Sequence, residues 1–237
     1  MPPRNLFLAI SLGALATLAH PFAFAARAAA AAGSSLGRTA RRFTSWRAER
    51  SKPDTAQWTP ELLKRLEWRR FEELCAAYFE TLGFRTDLSG AAAGGSVAIN
   101  LYAQGAGSAS ILVQCRPWNA HRVGIKPVRA LHGAMTSANV GEGVLVTSGK
   151  FTQEARDFAG KEKISLIDGE ELVGKITALQ PETSLALFKF ATEGDFLTPT
   201  CPACAIKMIS RKSTAHGRTY WGCRNYPACK QTFFETH

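Results

Sequence analysis

The fold of this chain is decided by the stretch Ile111-Leu112-Val113-Gln114-Cys115-Arg116, together with the preceding run Val97-Ala98-Ile99-Asn100-Leu101-Tyr102. Both runs are short, apolar and rich in β-branched residues, and Gly105-Ala106-Gly107-Ser108 between them suits a turn. They therefore predict two neighbouring strands that form a buried hairpin.

Three polar residues interrupt these apolar strands: Asn100, Gln114 and Arg116. Because side chains alternate between the two faces of a strand, Gln114 and Arg116 share one face, and the hairpin brings Asn100 beside them. Buried polar groups cost free energy unless they are paired, so such a set is typical of a functional site. Ordinary hydrogen bonding in an edge strand is the alternative interpretation.

Further elements are predicted on both sides of the hairpin by apolar spacing and turn residues. They are a long helix over 60–82, a short strand over 84–88, helices near 125–138, 152–159 and 170–176, and strands over 143–146 and 164–167. The later strand-to-helix steps require parallel strands. The sequence thus predicts an α/β domain over 60–180, with a mixed sheet and helices on both faces.

The charge is distributed unevenly along the chain. The formal net charge is +10, yet residues 61–199 carry fifteen Lys or Arg against sixteen acids. Residues 1–60 carry eight basic residues against two acids, and residues 200–237 carry six against one. Basic character therefore lies in the two terminal regions, where it favours contact with a polyanion.

Four of the six cysteines cluster near the end of the chain, at Cys201, Cys204, Cys223 and Cys229. The first pair forms a tight Cys-x-x-Cys turn, and four thiolates at this spacing can converge on one tetrahedral Zn²⁺. Fewer than forty residues cannot build a large apolar core, so the metal must supply much of the folding free energy. We expect a structural zinc ribbon over 200–237, joined to the domain by a linker over 181–199.

The ribbon also combines basic and aromatic side chains, the mixture that single-stranded nucleic acid favours. Candidate nucleic-acid-binding residues are Arg211, Lys212, Arg218, Tyr220, Trp221, Arg224 and Tyr226. With Zn²⁺ bound by four thiolates, the module's formal charge falls to about +3 and stays basic. A purely structural ribbon, with aromatic rings packed around the metal, is the alternative.

The N-terminal region contains twenty-one residues without formal charge, 6–26. As a helix this run is about 31 Å long, which matches a hydrocarbon core. Ala23-Phe24-Ala25 resembles a signal-peptidase site, so a cleaved signal peptide competes with an anchor. Basic residues follow the run, which favours an anchor over 1–27 in the inner membrane, a basic tether over 28–59 and a body facing the cytoplasm. The cysteine cluster agrees with a reducing compartment.

The middle domain also carries a set of ordered motifs. They are Phe71-Glu72-Glu73-Leu74, Leu82-Gly83-Phe84, Ile99-Asn100-Leu101, Val113-Gln114-Cys115-Arg116, Val123-Gly124-Ile125-Lys126-Pro127-Val128-Arg129, Gly143-Val144-Leu145-Val146-Thr147-Ser148-Gly149, Phe151-Thr152-Gln153-Glu154-Ala155 and Leu166-Ile167-Asp168-Gly169. Over about residues 68–177 they resemble the Mrr-like branch of the restriction-endonuclease-like nucleases, which is associated with type IV restriction of modified DNA. The resemblance implies a restriction-endonuclease-like fold that binds duplex DNA, with Lys126 as a candidate DNA contact.

The resemblance also implies a metal-dependent site. In this family an Asp ends one strand, and a Glu or Gln lies two residues before a Lys on the next, with Mg²⁺ bound there to activate water. These positions fall on Asn100, Gln114 and Arg116, and a helix Glu falls on Glu72. Two positions are substituted: neutral Asn is a poor Mg²⁺ ligand, and Arg stays protonated and cannot act as a base. Cleavage is thus expected to be weak or absent.

The C-terminal module resembles a second family. The residues that carry this likeness are Cys201-Pro202, Cys204, Met208, Arg211, Gly217, Tyr220-Trp221-Gly222-Cys223, Asn225-Tyr226-Pro227 and Cys229. They resemble the zinc ribbon at the C-terminus of bacterial type IA DNA topoisomerases. The resemblance implies binding of single-stranded DNA.

Three functional classes remain open on the sequence. The favoured one is a membrane-tethered DNA-binding protein with an altered phosphodiesterase site. The second is an active Mg²⁺-dependent endonuclease that uses migrated residues, with Asp87, Glu72 or Lys126 as candidates. The third is an exported protein with a structural zinc site. The modification recognised and the oligomeric state stay open.

Overall fold

The computed structural model describes residues 57–92, 96–116, 122–213 and 217–234. The expected hydrophobic anchor over 6–26 lies outside these residues, as does the basic tether apart from 57–59. Within the described ranges, no helix is long and apolar enough to cross a membrane.

Six helices and eight strands are found in the described ranges. The helices are α1 (Pro60–Arg65), α2 (Trp68–Thr81), α3 (Ile125–Ala138), α4 (Gln153–Ala159), α5 (Gly169–Thr177) and α6 (Pro181–Thr192). The strands are β1 (Arg85–Ala92), β2 (Ser96–Tyr102), β3 (Ile111–Arg116), β4 (Glu142–Thr147), β5 (Ile164–Ile167), β6 (Ile209–Lys212), β7 (Thr219–Gly222) and β8 (Thr232–Phe234). β1 to β5 form one sheet, and β6 to β8 form another.

The five-stranded sheet is mixed, as predicted. β1, β2 and β3 are antiparallel neighbours, so the expected hairpin of β2 and β3 is confirmed. β4 lies parallel to β3, and β5 lies parallel to β4. The strand order β1-β2-β3-β4-β5 follows the chain. The carboxyl ends of the three parallel strands therefore meet at one edge of the sheet.

One face of the sheet is covered by α3 and α4, and we name it the α3 face. Leu112 of β3 and Leu145 of β4 pack there with Val128 and Leu131 of α3 and Ala155 of α4. Apolar residues at helical spacing in α3 produce this contact, since Val128, Leu131 and Met135 are its buried residues. The helix predicted over 125–138 is thus confirmed in its bounds and its buried face.

The opposite face is covered by α2, and we name it the α2 face. Cys75 of α2 hydrogen-bonds with Cys115 of β3, whose side chain points away from that of Gln114. Burial, followed by this contact and by nearby Glu72, raises the pKa of Cys115 well above its ordinary value. The two cysteines are buried thiols of the core.

The long helix predicted over 60–82 is divided in two. Leu66 and Glu67 between the two parts have extended backbone, with ψ of 133° and 154°. Glu67 then caps α2 by accepting a hydrogen bond from the Arg69 N–H. Leucines continue through the break at helical spacing and neither Gly nor Pro marks it, so the sequence pattern did not reveal it.

Part of the segment predicted as a linker is helical. α6 occupies 181–192, and it buries Leu187, Phe188 and Ala191. The ring of Trp58 meets that of Phe188 edge to face at 5.5 Å, and α6 packs on α2. The predicted linker over 181–199 is therefore wrong for residues 181–192, because their apolar side chains complete the core. The domain extends at least to 192.

Candidate nucleic-acid interface

The hairpin places the predicted polar residues on the α3 face of the sheet. Asn100 lies opposite Leu112, and Gln114 lies opposite Ala98 and beside Leu145. Gln114 and Arg116 alternate on one strand and share the face of Leu112. Diagonal neighbours such as Asn100 and Gln114 have Cα atoms about 7–8 Å apart in an antiparallel pair. The structure thus places the three residues on one face, with Gln114 between Asn100 and Arg116.

Two polar atoms of this set are buried without a partner. Gln114 is 3% exposed, and its Oε1 has no hydrogen-bond partner among the described residues. Nε of Arg116 is likewise buried and without a partner in the same part of the chain. An unsatisfied buried polar group costs about 1–3 kcal/mol, so it needs a functional or structural reason. We interpret the two atoms as parts of a ligand site.

A carboxylate lies next to this set. Asp87 of β1 is directly opposite Asn100 of β2, so both side chains are on the α3 face. Directly opposite residues have Cβ atoms about 4.5–5.5 Å apart. Asp87 is exposed and the Asn100 side chain is half-buried. Sequence analysis had given Asp87 only as one of three migrated candidates, and strand pairing supplies the reason to prefer it.

Glu72 lies elsewhere. It is on α2, is 1% exposed, and is close enough to Cys115 to raise that thiol's pKa. Cys115 points to the α2 face, whereas Gln114 and Arg116 point to the α3 face. Glu72 therefore lies on the α2 side of the sheet, whereas the other three predicted site residues lie on the α3 face.

These residues fit Mg²⁺ poorly. Asn100 and Gln114 offer neutral amide oxygens, and the adjacent Arg116 adds a fixed positive charge that repels a cation. Asp87 is the one carboxylate that the strand register places next to them. In the described part of the chain, one group of three or more potential metal-binding residues converges. It consists of Cys201, Cys204, Cys223 and Cys229.

Basic side chains lie near the carboxyl edge of the parallel strands. Arg116 ends β3 and pairs with Thr147 at the end of β4. Past this edge, Val123 bridges to Phe151, which brings the segment before α3 to the segment before α4. The exposed basic residues carried by these two segments and by the first turn of α3 are Arg122, Lys126 and Lys150. Such a group suits contact with phosphates.

The charges at this edge are partly paired. Nζ of Lys150 donates to Glu170 at 2.8 Å, which raises the pKa of Lys150 although the neighbouring Arg122 opposes the rise. Arg156 pairs with Asp168 at 3.0 Å. Exposed pairs of this kind are worth little and exchange readily for phosphate contacts.

The four ribbon cysteines converge as the spacing predicted. Their Sγ atoms all lie within 4.8 Å of one another, and those of Cys201 and Cys229 are 3.7 Å apart. Tetrahedral Zn²⁺ with bonds of about 2.3 Å to sulfur requires Sγ atoms about 3.8 Å apart. The donor set therefore fits zinc, which would be held by all four thiolates and would cross-link the ribbon.

The aromatic residues of the ribbon divide between two faces of β7. Trp221 is half-buried and packs with Phe233 against the cysteine core. This differs from the prediction of Trp221 as an exposed stacking residue, because alternation turns it toward the metal site. Tyr220 points to the other face and is half-buried, and Tyr226 in the following turn is 61% exposed.

Arg211 lies under the exposed ring of Tyr226. Its Cζ is 5.4 Å from the Tyr226 ring centroid, and its Nε is buried without a hydrogen-bond partner among the described residues. A Cβ on Gly222 would lie 2.9 Å from both Cδ and Nε of Arg211. Gly222 thus leaves the space in which the arginine crosses β7, and the Tyr226 ring stays 61% exposed. Lys212, Arg218 and Arg224 are exposed on the same small module.

Comparison with known protein families agrees with both parts of the fold. The family model described as a restriction endonuclease, of the Mrr catalytic type, matches residues 63–176. The model described as the topoisomerase DNA-binding C4 zinc finger matches residues 198–236. The chain contains an Mrr-type restriction endonuclease domain and a topoisomerase-type C4 zinc ribbon.

A curated relative shares the Mrr-type domain. It is the type IV methyl-directed restriction enzyme EcoKMrr of Escherichia coli strain K12, 33% identical over 110 residues. The match covers 44% of this chain and 36% of the relative, so the chain spans about a third of that protein's length.

Two solved structures are also similar. One is the DNA modification-dependent restriction endonuclease AspBHI, with a TM-score of 0.39 and 20% identity over 56% of this chain and 38% of that chain. The other is the MspJI restriction endonuclease in complex with a 27-mer oligonucleotide, with a TM-score of 0.36 and 18% identity over 56% of this chain and 34% of that chain.

Sequence analysis missed the contact between the Mrr-type domain and the zinc ribbon. Glu67 is 4% exposed, and its carboxylate accepts hydrogen bonds from Thr200 and Lys207 at the start of the ribbon. Lys207 had been counted only as a basic residue of the ribbon. A buried Glu is uncommon without a partner, yet no local pattern around Glu67 indicates that it is buried.

Proposed function

We propose that this protein binds DNA through both modules and cleaves it weakly or not at all. In this proposal the Mrr-type domain takes duplex DNA and the C4 ribbon, held by Zn²⁺, takes a single strand. The observation that carries the proposal is the polar set on the α3 face, where Arg116 and Asn100 flank the buried Gln114, whose Oε1 has no hydrogen-bond partner in the described ranges.

The chemistry of this set favours binding over hydrolysis. A guanidinium stays charged at any physiological pH and donates several hydrogen bonds in a fixed plane, so Arg116 is suited to holding a phosphate. It cannot take a proton from water. Asn100 offers a neutral oxygen where hydrolysis of a phosphodiester requires a negatively charged metal ligand.

The basic residues near the strand ends support duplex binding. Arg122, Lys126 and Lys150 are exposed on the segments before α3 and α4 and in the first turn of α3. Phosphate contacts from such residues supply a large share of the affinity for DNA. In the ribbon, the free side of Tyr226 offers a stacking surface, and basic side chains surround it. Support for DNA as the partner also comes from the family of each module.

Two assays on the full-length protein test this function. A gel shift with duplex and single-stranded probes should show binding of both, with affinity that falls steeply as salt rises. Incubation of plasmid, methylated and unmethylated, with Mg²⁺ or Mn²⁺ should leave the DNA intact, with EcoKMrr as the positive control. Cutting that Gln114→Ala abolishes would contradict the proposal.

An active endonuclease is the second candidate, and the position of Asp87 favours it. Asp87 lies opposite Asn100 and would bring a carboxylate to the place that lost one. If this candidate is correct, wild-type protein cuts DNA with Mg²⁺ and Asp87→Asn removes the activity. Glu80→Gln, which changes another exposed acid outside the α3 face, should leave any cutting unchanged.

We also propose that the protein is held at the inner membrane by residues 6–26, with its body in the cytoplasm. The support is the uncharged run and the basic residues that follow it. Cell fractionation should place the full-length chain, at its uncleaved mass, in the membrane fraction. A shortened chain in the periplasm would favour the exported alternative.

A further inference from the structure

We propose that the preferred substrate is a junction at which duplex DNA continues into a single strand. This inference rests on the proposed function, and it comes from the way the ribbon is attached to the Mrr-type domain. We name the attachment the Glu67 latch and define it by Glu67, Trp68, Thr200 and Lys207.

The latch is built around a buried carboxylate at the beginning of α2. Oε2 of Glu67 accepts hydrogen bonds from the backbone N–H groups of Arg69 and Thr200, both at 3.2 Å. Oε1 accepts from the Thr200 hydroxyl at 3.0 Å and from Nζ of Lys207 at 3.1 Å. One acid therefore caps a helix of one module and holds the first residues of the other.

Further hydrogen bonds surround the carboxylate. Nε1 of Trp68 donates to the Thr200 carbonyl at 2.7 Å, and the Glu67 N–H donates to the Phe196 carbonyl at 2.9 Å. Nζ of Lys207 also donates to the Thr198 carbonyl at 2.9 Å. Phe196, Thr200 and Cys201 are buried. These contacts reach into the metal-binding turn itself, because Thr200 directly precedes Cys201.

A buried carboxylate with this many hydrogen bonds, paired with the half-buried Lys207, opposes separation of the two modules. Removing the ribbon would take the Thr200 and Lys207 donors away from the Glu67 carboxylate, which disfavours separation. The ribbon is thus docked beside the domain rather than carried on a free linker. The short connection from 193 to 199 is itself tied to both sides.

Docking has a consequence for binding. α2 ends beside the start of β1, which the strand register places at the amino edge of the parallel strands. The latch at the other end of α2 therefore lies toward the carboxyl edge, where Arg116 ends β3. A ligand that occupies two sites on one docked body gains affinity, since the second contact becomes intramolecular. A plain duplex occupies the Mrr-type domain, and a plain single strand occupies the ribbon. A junction offers both forms on one molecule at short range, so it is the DNA that uses both sites at once.

The test measures dissociation constants by fluorescence anisotropy with the full-length protein. The probes are a 20-bp duplex, a 15-nucleotide single strand, and the same duplex carrying that strand as a 5′ or a 3′ overhang. We expect one overhang polarity to bind about 10- to 100-fold more tightly than the better of the separate pieces.

Variants of the latch identify its role. Thr200→Val combined with Lys207→Met removes two donor groups, and with them three of the hydrogen bonds to Glu67 and Thr198, but leaves the zinc ligands in place. We expect this variant to lose the junction preference, while its affinities for duplex and for single strand fall by less than about threefold. Zinc content and circular dichroism verify that it is folded.

Lys212→Met is the matched control, because it removes a ribbon charge outside the latch. It should weaken binding of the single strand and of the junction by the same factor, and so preserve the preference for the junction. The inference is overturned if wild-type protein binds the junction no better than the pieces, or if the latch variant keeps the preference. Failure to bind either duplex or single strand overturns the proposed function and this inference with it.

Discussion

Two arginines in this molecule have the same unusual feature in different settings. Nε of Arg116 in the Mrr-type domain and Nε of Arg211 in the ribbon are both buried and lack a hydrogen-bond partner within the described residues. Arg211 rests against the Tyr226 ring, in a module whose four metal-binding thiols are all present. Arg116 ends β3 two residues after Gln114, so the neutral amides of Gln114 and Asn100 lie to one side of it.

The two arginines show that the backbone arrangement of a site and the chemistry of its side chains can vary independently. The strand pairing around Arg116 places every predicted site residue of the hairpin on one face, although these residues fit a metal ion poorly. In the ribbon, spacing and donor type both agree with zinc, because the metal is needed for folding. A site required for folding cannot lose its ligands, whereas a site required for catalysis can.

The largest expected effect is loss of the metal from the ribbon. Cys201→Ser, or treatment with a strong chelator, should unfold residues 200–234, since structural Zn²⁺ supplies about 10–16 kcal/mol of folding free energy in small modules. Hydrogen exchange with mass spectrometry measures this as lost protection in β6 and β7. Cys75→Ala, a change at a buried thiol in the Mrr-type domain, should leave ribbon protection and zinc content unchanged.

Loss of Glu67 should have the next largest effect, because the Glu67 carboxylate connects the Mrr-type domain with the ribbon. Glu67→Ala is expected to lower the free energy of unfolding by about 3 kcal/mol, since it leaves buried donors unpaired while Lys207 is partly solvated. Denaturant unfolding measures the change. Glu73→Ala removes the half-exposed pairs with Arg69 and Arg70 and should cost under about 1 kcal/mol. Equal effects of the two changes would contradict the latch.

A third prediction separates the aromatic residues of the ribbon. Tyr226→Ala should lower affinity for single-stranded DNA by about 1–3 kcal/mol, the usual value of one stacked base, with zinc content unchanged. Trp221→Ala should lower ribbon stability instead, because its ring packs on the cysteine core. Filter binding and thermal melting distinguish the two. If Tyr226→Ala bound single-stranded DNA as tightly as the wild type, the Tyr226 ring would not be part of the interface.

Gly222→Ala tests the contact between Arg211 and Tyr226, and its effect on single-strand affinity should be smaller. The added Cβ pushes against Arg211, so the arginine should leave Tyr226 and single-strand affinity should fall about threefold while the salt dependence stays the same. Gly217→Ala is not a matched control, because Gly217 has a φ of +63°. Ser210→Ala, on the neighbouring strand, serves as one. A changed salt slope would show instead that Arg211 contacts phosphate directly.

The smallest expected effect is on the pH dependence of stability, through Asp195. Burial raises the pKa of Asp195, but hydrogen bonds from Thr198 and the nearby Lys207 outweigh this and hold it below its ordinary value. A lowered pKa in the folded state means that the stabilisation is present above the unfolded pKa and is lost as pH falls through the folded value. Asp195 is exposed, so Asp195→Asn should lower stability at pH 7 by under about 1 kcal/mol. The difference from wild type should vanish near pH 2, which denaturant titration measures.

Much of the fold follows from local patterns in the sequence. Apolar alternation and a turn predicted the β2–β3 hairpin, and helical spacing predicted α3, because each element buries its own apolar side against a neighbour. The break at Leu66 and the helical part of the expected linker did not follow. Both depend on contacts between residues far apart in sequence, such as Glu67 with Thr200 and Trp58 with Phe188.

The candidate site was predictable in part for the same reason. Residue type and spacing were enough for Asn100, Gln114, Arg116 and the four cysteines. The place of Asp87 beside Asn100 required the pairing register of β1, and the place of Glu72 on the α2 face required the packing of a helix. The inward orientation of Trp221 likewise depends on which side of β7 the metal occupies.

The central claim is that the polar set around Arg116 binds DNA without cutting it because two residues have changed. The most direct measurement compares wild-type protein with the double variant Asn100→Asp and Arg116→Lys on supercoiled plasmid with Mg²⁺. We predict that both shift the plasmid in a gel, that the wild type leaves it supercoiled, and that the double variant nicks or linearises it. Wild-type cutting that is lost with Gln114→Ala would contradict the claim.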